Sequence, residues 1–257
     1  MILVLDIGNT NIKFGVYQND QLIYEFIKET KLDWSMDEYH QFIKLSLLDK
    51  NISPNDFIGA IISSVVDKLT MIVKKAIDSL LKVDAILVNK DLKMDMLIKI
   101  DNPSELGTDL ICDCVGAISK YSSPLIVIDL GTASKILVVN KEKEFIGCTI
   151  SVGLTIGLKA LINNTSKLNN IDLKRPSHVI GKNTTDSLNS GAIYATECMI
   201  DGMCKKIEKE INSKCIKVLT GGNAKYLYEI TSKEFIFEPF LSLQGLYHLY
   251  KKNKSHK

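Results

Sequence analysis

One short pattern occurs twice in this chain, and the repetition constrains the fold more than any other feature of the sequence. Residues 2–17 read ILVLDIGNTNIKFGVY, and residues 125–139 read LIVIDLGTASKILVV. Each segment is an apolar strand ending in an acid, a polar turn that contains glycine, and a second apolar strand. Aligning Asp6 with Asp129 also aligns Gly8 with Gly131. Such internal similarity predicts two related α/β halves.

An acid delivered into a tight glycine turn suits the binding of a metal-nucleotide complex. Glycine has no Cβ, so a phosphate can approach the backbone N–H groups of the turn. The carboxylate cannot bind phosphate directly, but it can hold a cation or a metal-bound water that bridges to phosphate oxygens. Two such turns facing each other across a cleft would hold the phosphates of a nucleotide from both sides. The alternative is a pair of ordinary hairpin turns, in which Asp-x-Gly is favoured for its backbone geometry alone.

The remaining periodicity predicts a mixed α/β chain. Antiparallel strands are predicted over residues 2–26, and further strands in FIGAIISSVV, AILVN, LIVID, KILVVN and FIGCTIS. Helices are predicted around Met36 to Leu48, in KLTMIVKKAIDSLLK, after Pro103, in VGLTIGLKALINN and from roughly Ser187 to Ile211. The segment KVLTGGNAKYL is typical of a strand, a Gly-Gly turn and a helix start. We expect two domains, over residues 1–120 and 121–257.

Charge and composition argue against several classes of partner. The formal net charge of +2 leaves no basic excess for a nucleic-acid or anionic-membrane surface. No apolar run approaches the roughly 20 residues needed to cross a bilayer. Met1 is followed directly by ILVLD with no signal-peptide pattern, so a cytoplasmic location is expected. The six cysteines lack a C-x-x-C pair and are expected to be reduced and structural, and the histidines, including His256 in the basic tail, show no metal-site spacing.

Nine short blocks of the chain resemble, in order and at compatible spacing, the signature blocks of the type III pantothenate kinases. They are DIGNTNIKFGVY, SSVVDKL, DNPSELGTDL, DLGTASK, GCTISVGL, IGKNTTDSLNSGAIY, IDGM, LTGGNAKYL and SLQGLYHLYKKN, and they span nearly the whole chain. The resemblance implies the fold of the acetate and sugar kinase, heat-shock protein and actin superfamily, with two duplicated actin-like (ribonuclease H-like) domains around a nucleotide cleft. It further implies a homodimer, Mg-ATP as phosphoryl donor, a monovalent cation (K⁺ or NH₄⁺) as activator, and 4′-phosphopantothenate as product, the first step of coenzyme A biosynthesis.

The resemblance also implies roles for individual residues. Asp109 matches the proton acceptor for the pantothenate hydroxyl; capping of a helix is the alternative role for an acid at this position. Asp129 matches the monovalent-cation ligand, and Asp6 is expected to act mainly through Mg²⁺. The implied ATP contacts are Asp6, Ile7, Gly8, Asn9, Thr10, Asn11, Ile12, Lys13, Thr132, Gly221 and Gly222. The implied substrate contacts are Ile100, Gly107, Thr108, Asp109, Leu110 and Thr184, although a threonine like Thr184 near a helix start is also a common cap.

The chain departs from the usual family pattern at three places. The family usually has Tyr-Asp-Asn-Pro and Gly-x-Asp-Arg where this chain has Ile100-Asp101-Asn102-Pro103 and Gly107-Thr108-Asp109-Leu110. Losing an arginine that pairs with a substrate carboxylate weakens binding on the order of ten- to a hundred-fold if nothing replaces it. The second turn ends in Ser134-Lys135 where two threonines are usual, which puts a cation beside the expected phosphate path.

These departures leave three hypotheses. In the first, Lys135 or another lysine compensates and pantothenate remains the substrate. In the second, the nucleotide-binding residues serve the phosphorylation of a different, less anionic alcohol. In the third, the chain is a non-catalytic nucleotide-binding regulator, since the family also resembles an accessory factor linked to gene regulation. The presence of Asp109 argues against the third, because a regulator needs no general base. We adopt pantothenate kinase as the predicted function.

Overall fold

The computed structural model describes residues 1–164, 171–231 and 233–254. The strands are β1 (Ile2–Ile7), β2 (Asn11–Gln18), β3 (Gln21–Glu29), β4 (Gly59–Ser64), β5 (Ile86–Leu87), β6 (Leu97–Ile98), β7 (Leu125–Leu130), β8 (Ala133–Val139), β9 (Glu144–Val152), β10 (Ile216–Thr220) and β11 (Phe235–Phe237). The helices are α1 (Met36–Leu48), α2 (Asp67–Leu81), α3 (Thr108–Lys120), α4 (Leu154–Asn163), α5 (Thr184–Glu210) and α6 (Leu241–Asn253). Short 3₁₀ turns occupy Pro54–Asp56, Pro103–Glu105 and Ala224–Tyr226.

The chain forms two compact units. Unit 1 contains Met1–Asp95, Asp101–Ser119 and Leu241–Lys257, and unit 2 contains Met96–Ile100 and Lys120–Phe240. The expected ranges, 1–120 and 121–257, differ from these units by one residue at their boundary, Lys120, and in two segments, 96–100 and 241–257. In both segments, a piece of chain joins the sheet or helices of the other half through contacts between residues far apart in the sequence.

Unit 1 is built on a five-stranded sheet in the order β3-β2-β1-β4-β5. The strands β1, β2 and β3 form the predicted antiparallel meander, whereas β4 runs parallel to β1. Residues Ile2 to Leu5 of β1 are buried, as expected for a central strand covered on both faces. The helices α1 and α2 supply Tyr39, Ile43 and Leu69 to the core over this sheet. Asp6, near the end of β1, therefore lies at the carboxyl end of a central, buried strand.

The C-terminal helix α6 belongs to unit 1 because two glycines allow it to pack closely against α3. A Cβ built on Gly245 would lie 1.8 Å from the carbonyl oxygen of Cys112, and one built on Gly116 would lie 2.4 Å from the carbonyl oxygen of Leu241. Real Cβ atoms do not approach oxygen so closely, so any larger residue would force the two helices apart. The helix also contacts β1, β2 and β4. This packing explains why residues 241–257 leave the predicted C-terminal half.

Unit 2 is built on a six-stranded sheet in the order β11-β10-β7-β8-β9-β6. The strands β7, β8 and β9 form a second antiparallel meander, and β10 runs parallel to β7. The order β9-β8-β7-β10 thus repeats the order β3-β2-β1-β4 of unit 1. Ile193 and Ile200 of α5 pack with Ile126, Ile128 and Leu219 in one core. The two sheets confirm the prediction of two related α/β halves.

A few local predictions need correction. The long helix begins at Thr184, three residues before the predicted Ser187, and the strand in AILVN is only two residues long.

The six cysteines form no disulfide, and Cys112, Cys114 and Cys204 are buried, in keeping with structural thiols. Within the described ranges, no helix is both long and apolar enough to cross a membrane, and no three His, Cys, Asp or Glu side chains form a group that could hold a metal ion. His256 lies outside the described residues.

Candidate active site

The first Asp-Gly turn, residues 6–13, closes the connection between β1 and β2. The half-buried Asp6 has Lys13 on β2 and Ser63 on β4 as its direct register partners. The backbone N–H of Gly8 donates to the carbonyl of Asn11 (3.0 Å), and the Thr30 hydroxyl donates to the carbonyl of Gly8 (2.7 Å). Asn9 and Thr10 at the tip are exposed. The predicted ATP contacts from Asp6 to Lys13 therefore lie on one turn whose tip is open to solvent.

The start of α3 is bonded to the end of β4, the strand next to β1. The Thr108 hydroxyl accepts a hydrogen bond from the backbone N–H of Ser64 (3.2 Å) and one from the hydroxyl of Ser63 (3.0 Å). It donates to the carbonyl of Ser64 (3.0 Å). Three hydrogen bonds through a single hydroxyl give this junction one geometry. The sequence showed the two serines only as the end of a strand; their role needs the contact with Thr108.

Asp109 follows Thr108 directly and lies in the first turn of α3. The helix begins at Thr108, so Asp109 is the second helical residue and does not occupy the N-cap position weighed as its alternative role. A Cβ on Gly107 would lie 2.5 Å from Asp109 Oδ1, so glycine at position 107 leaves the space that the carboxylate uses. A carboxylate in the first turn is also favoured by the helix dipole.

Cys112, one turn further along α3, is a buried thiol that responds to acids of both β1 and α3. Its thiol is fully buried, and burial raises its pKa well above the ordinary value. The nearby carboxylates of Asp6, Asp113 and Asp109 raise the pKa of the same thiol further. The carboxylates at the end of β1 and in the first turn of α3 therefore both lie within electrostatic range of this thiol. The predicted Mg²⁺ residue and the predicted base both belong to unit 1.

The two altered substrate positions differ in their surroundings. Leu110, in the first turn of α3, is buried, with only 8% of its surface exposed. Ile100 follows β6 in unit 2 and is half-buried. Neither side chain has a polar atom, so neither position can donate a hydrogen bond from its side chain.

The second Asp-Gly turn, residues 129–135, joins β7 to β8. The half-buried Asp129 has Lys135 on β8 and Thr220 on β10 as its register partners. The backbone N–H of Gly131 donates to the carbonyl of Ala133 (3.1 Å), and Thr132 at the tip is exposed. Six positions separate Asp129 from Lys135, whereas seven separate Asp6 from Lys13. The second turn is therefore the tighter of the two.

The Gly-Gly turn lies directly against the second Asp-Gly turn. Gly221 has φ +94°, a left-handed backbone, and a Cβ there would lie 2.5 Å from Asp129 Oδ1. The next residue, Gly222, is exposed with open space around it. The predicted residues Asp129, Thr132, Gly221 and Gly222 are thus parts of one pair of adjoining turns.

Asn223 connects these two turns and was missed by sequence reasoning. Its backbone N–H donates to the carbonyl of Leu130 (2.9 Å), and its side-chain amide donates to the carbonyl of Gly131 (3.0 Å). The hydroxyl of Thr155 in α4 donates to the Asn223 side-chain oxygen (3.2 Å). The only available signal was an amide side chain, both donor and acceptor, directly after a Gly-Gly pair.

Gly153, at the start of α4, was also missed. A Cβ on this residue would lie 2.1 Å from the carbonyl oxygen of Thr132, so the backbone before α4 passes directly against the second turn. The motif GCTISVGL contains this glycine, but its role depends on a contact with a residue 21 positions earlier in the chain.

Asp129 is paired with a lysine. Lys135 Nζ lies 2.9 Å from Asp129 Oδ2, and the two side chains are 18% and 14% exposed. The carboxylate expected to bind a monovalent cation therefore already contacts a positive charge of this chain.

Thr184 is the exposed first residue of α5. The cap of this helix is Asn183, whose side-chain oxygen accepts from the backbone N–H of Asp186 (2.8 Å). The capping role considered for Thr184 thus belongs to its neighbour.

Comparison with known proteins identifies the family. The sequence profile described as type III pantothenate kinase matches residues 2–206. Among curated proteins, a type III pantothenate kinase from Bacillus cytotoxicus is 36% identical over 253 residues, which cover 98% of this chain and 97% of the relative.

Two solved structures illustrate the fold. A Campylobacter jejuni protein described as a conserved Baf-family transcriptional activator has a TM-score of 0.59 and 19% identity, with 98% of each chain covered. A Sinorhizobium meliloti protein described as a 2-dehydro-3-deoxygalactonokinase has a TM-score of 0.64 and 9% identity, with 100% of this chain and 99% of that chain covered. At such identities the likeness shows only a shared fold, that of the actin-like kinases. Because the profile covers most of the sequence and the curated relative nearly all of it, this chain belongs to the type III pantothenate kinases, the phosphotransferases that phosphorylate pantothenate in coenzyme A biosynthesis.

Proposed function

We propose that this chain transfers the γ-phosphoryl group of ATP to the hydroxyl of pantothenate, with Asp109 as the proton acceptor. The observation that supports the proposal is the hydrogen bonding of Thr108 to Ser63 and Ser64, which joins the start of α3 to the end of β4, the strand next to β1. A base is effective only where its carboxylate is held at a fixed position relative to the attacking hydroxyl. Three hydrogen bonds through the Thr108 hydroxyl fix the start of the helix that carries this base.

The proposed reaction is a single phosphoryl transfer in which the protein supplies one proton acceptor. The pantothenate hydroxyl oxygen forms a bond to the γ-phosphorus, the bond between that phosphorus and the bridging oxygen of ADP breaks, and the hydroxyl proton passes to Asp109. Because such transfers depend mainly on positioning and charge neutralisation, ordered turns and one base account for the essential parts. A base of this kind contributes typically about 10²- to 10⁴-fold to the rate.

The first Asp-Gly turn fits Mg-ATP. Asp6 offers a carboxylate at a strand end, and the tip residues Asn9 and Thr10 expose backbone to solvent. Magnesium prefers one or two carboxylates together with water and phosphate oxygens, so a single acid at this place suits it. When bound, Mg²⁺ would neutralise charge on the phosphates. We assign ATP contacts to Asp6 through Lys13, and to Thr132, Gly221 and Gly222 in unit 2.

The substrate contacts remain a proposal for Gly107, Thr108, Leu110, Ile100 and Thr184. Leu110 has no donor for the substrate carboxylate, so we expect weaker binding of the same substrate rather than a different substrate. We therefore keep pantothenate as the substrate.

Kinetics with one matched variant tests the proposal. ADP release would be measured with ATP and Mg²⁺, with and without pantothenate, for the natural chain and for Asp109→Asn. We expect pantothenate-dependent release that falls by about 10²- to 10⁴-fold in the variant while ATP binding persists. Asp67→Asn is the control, since Asp67 is an exposed acid in the first turn of α2 and should leave the rate unchanged. No release at saturating pantothenate, from protein that binds ATP, would refute the proposed function.

We also propose a homodimer that acts in the cytoplasm. The exposed apolar side chains of β9 and α4 support self-association: Ile150 and Val152 are each 65% exposed, and Ile156 and Leu161 are also exposed. Light scattering on the purified chain tests the dimer, and a monomeric mass at micromolar concentration would refute it.

A third cofactor, K⁺ or NH₄⁺ bound to Asp129, was expected from the resemblance. In the structure the Asp129 carboxylate is paired with Lys135, so we propose ATP and Mg²⁺ alone as cofactors.

A further inference from the structure

We infer that the ε-ammonium group of Lys135 takes the place of the monovalent cation at Asp129, so that this chain needs neither K⁺ nor NH₄⁺. The inference rests on the proposed function, because the role of Asp129 comes from the family resemblance. It concerns a position at which this chain differs from the usual family pattern, Lys135 in place of a threonine.

The strand register places the two groups together. Asp129 and Lys135 are directly paired across β7 and β8, so both side chains leave the same face of the sheet from neighbouring backbone positions. The short second turn ensures this pairing, and Lys135 Nζ lies 2.9 Å from Asp129 Oδ2. With both side chains mostly buried, water and salt screen the pair less than they would a surface pair.

The other oxygen of Asp129 is enclosed as well. A Cβ on Gly221 would lie 2.5 Å from Asp129 Oδ1, so the backbone of Gly221 passes close beside that oxygen. A cation bound to the same carboxylate would stand next to the Lys135 ammonium, and two like charges so close repel each other. The residues present therefore do not fit an additional monovalent cation at Asp129.

The ε-ammonium group of lysine resembles the monovalent cation that it would replace. Its ε-ammonium carries one positive charge and three N–H donors, as an ammonium ion with one hydrogen exchanged for an alkyl chain. Because it is part of the chain, it is present at any salt concentration and needs no association step. A threonine at position 135 would offer neutral hydroxyl oxygen to an external cation instead.

Cation dependence of turnover is the first test. ATP-dependent phosphorylation would be measured from zero to saturating KCl, with tetramethylammonium chloride keeping the ionic strength constant. We expect the natural chain to change by less than about twofold, and Lys135→Thr to lose on the order of ten- to a hundred-fold without K⁺ and recover with K⁺ or NH₄⁺.

Lys74→Met serves as the matched control. Lys74 is a similarly buried lysine in an ion pair, 15% exposed and 2.6 Å from Asp78 Oδ2, but it lies on α2 in the other unit. Its removal should leave the response to K⁺ unchanged. If Lys135→Thr fails to fold, Lys135→Met removes the same charge with a side chain of similar length, and K⁺ or NH₄⁺ should restore its turnover.

Direct binding of thallium(I), a K⁺ substitute visible by NMR, is the second test and requires no turnover. We expect no saturable binding to the natural chain, and saturable binding, competed by K⁺, to Lys135→Thr. Activation of the natural chain by K⁺ of about tenfold or more, or saturable thallium binding that Asp129→Asn abolishes, would overturn the inference. If no variant phosphorylates pantothenate, the proposed function fails, and the thallium result still decides this inference by itself.

Discussion

The two Asp-Gly turns begin from one sequence pattern and end in different surroundings. In the first, Asp6 is paired in register with Lys13 and Ser63, and the Thr30 hydroxyl donates to the carbonyl of Gly8. In the second, Asp129 lies between the backbone of Gly221 and the ammonium group of Lys135. The shared part is local, an acid at a strand end followed by glycine. The difference comes from the elements that pack against each turn.

The number of residues in each turn contributes to this difference. The first turn has one residue more between its register partners, and its exposed tip includes Asn9 and Thr10. The second is shorter and is bonded by Asn223 to the Gly-Gly turn. A longer exposed turn offers more backbone N–H groups to phosphates, whereas a tight bonded turn holds fixed charges.

Removing the acid of the first turn should have the largest effect. Asp6→Asn takes away the charge that we assign to Mg²⁺, and we expect kcat to fall by about 10²- to 10³-fold because charge on the transferring phosphoryl group is then neutralised less well. The free energy of unfolding should change little by comparison. Steady-state kinetics at saturating ATP measures the effect on kcat, and thermal denaturation measures the effect on stability. An unchanged kcat would remove Asp6 from the proposed site.

Removing the acid of the second turn should lower stability, apart from the effect on turnover that we infer for its partner Lys135. Asp129→Asn leaves the mostly buried Lys135 without its carboxylate, and breaking such a pair costs about 3 kcal/mol. Chemical denaturation measures this loss. The double variant Asp129→Asn with Lys135→Met should recover part of it, because no buried charge is left unpaired. A double variant no more stable than the single one would show that the pair is not what stabilises this turn.

The adjacent glycines of the Gly-Gly turn offer a matched pair of smaller effects. Gly221→Ala places a Cβ against Asp129 on a left-handed backbone, and we expect a loss of about 1–3 kcal/mol with a raised KM for ATP. Gly222→Ala meets open space and should be nearly neutral. Equal effects of the two changes, in denaturation and in KM, would contradict the close approach of Gly221 to Asp129.

The smallest expected effect concerns substrate recognition. Leu110→Arg restores the family's usual cation, whose long side chain can extend its head toward solvent from a packed position. We expect kcat/KM for pantothenate to rise by about tenfold, and that for pantothenol, which has no carboxylate, to stay constant. A rise for both compounds, or for neither, would show that position 110 does not face the carboxylate.

Local pattern was sufficient for much of the fold and for part of the site. The helix predicted around Met36 to Leu48 is α1, Met36–Leu48, because its start carries Ser35 and Glu38 as a capping box and its apolar residues recur at helical spacing. The two acids and their glycines were found because each turn is contiguous in the sequence. Asn223, Gly153 and the serines of β4 were not recognised as parts of the site, because they act through residues distant in the chain.

The sequence by itself determined the duplicated strand-acid-glycine pattern, the α/β class and, through its signature blocks, the family. Only the tertiary structure decided that α6 returns to unit 1 on Gly116 and Gly245, that residues 97–98 pair with the second sheet, and that Lys135 pairs with Asp129. The physical reason is the range of the interactions. Hydrophobic periodicity and turn preferences act between near neighbours and are visible in the sequence. Close backbone packing and strand register depend on which distant segments meet.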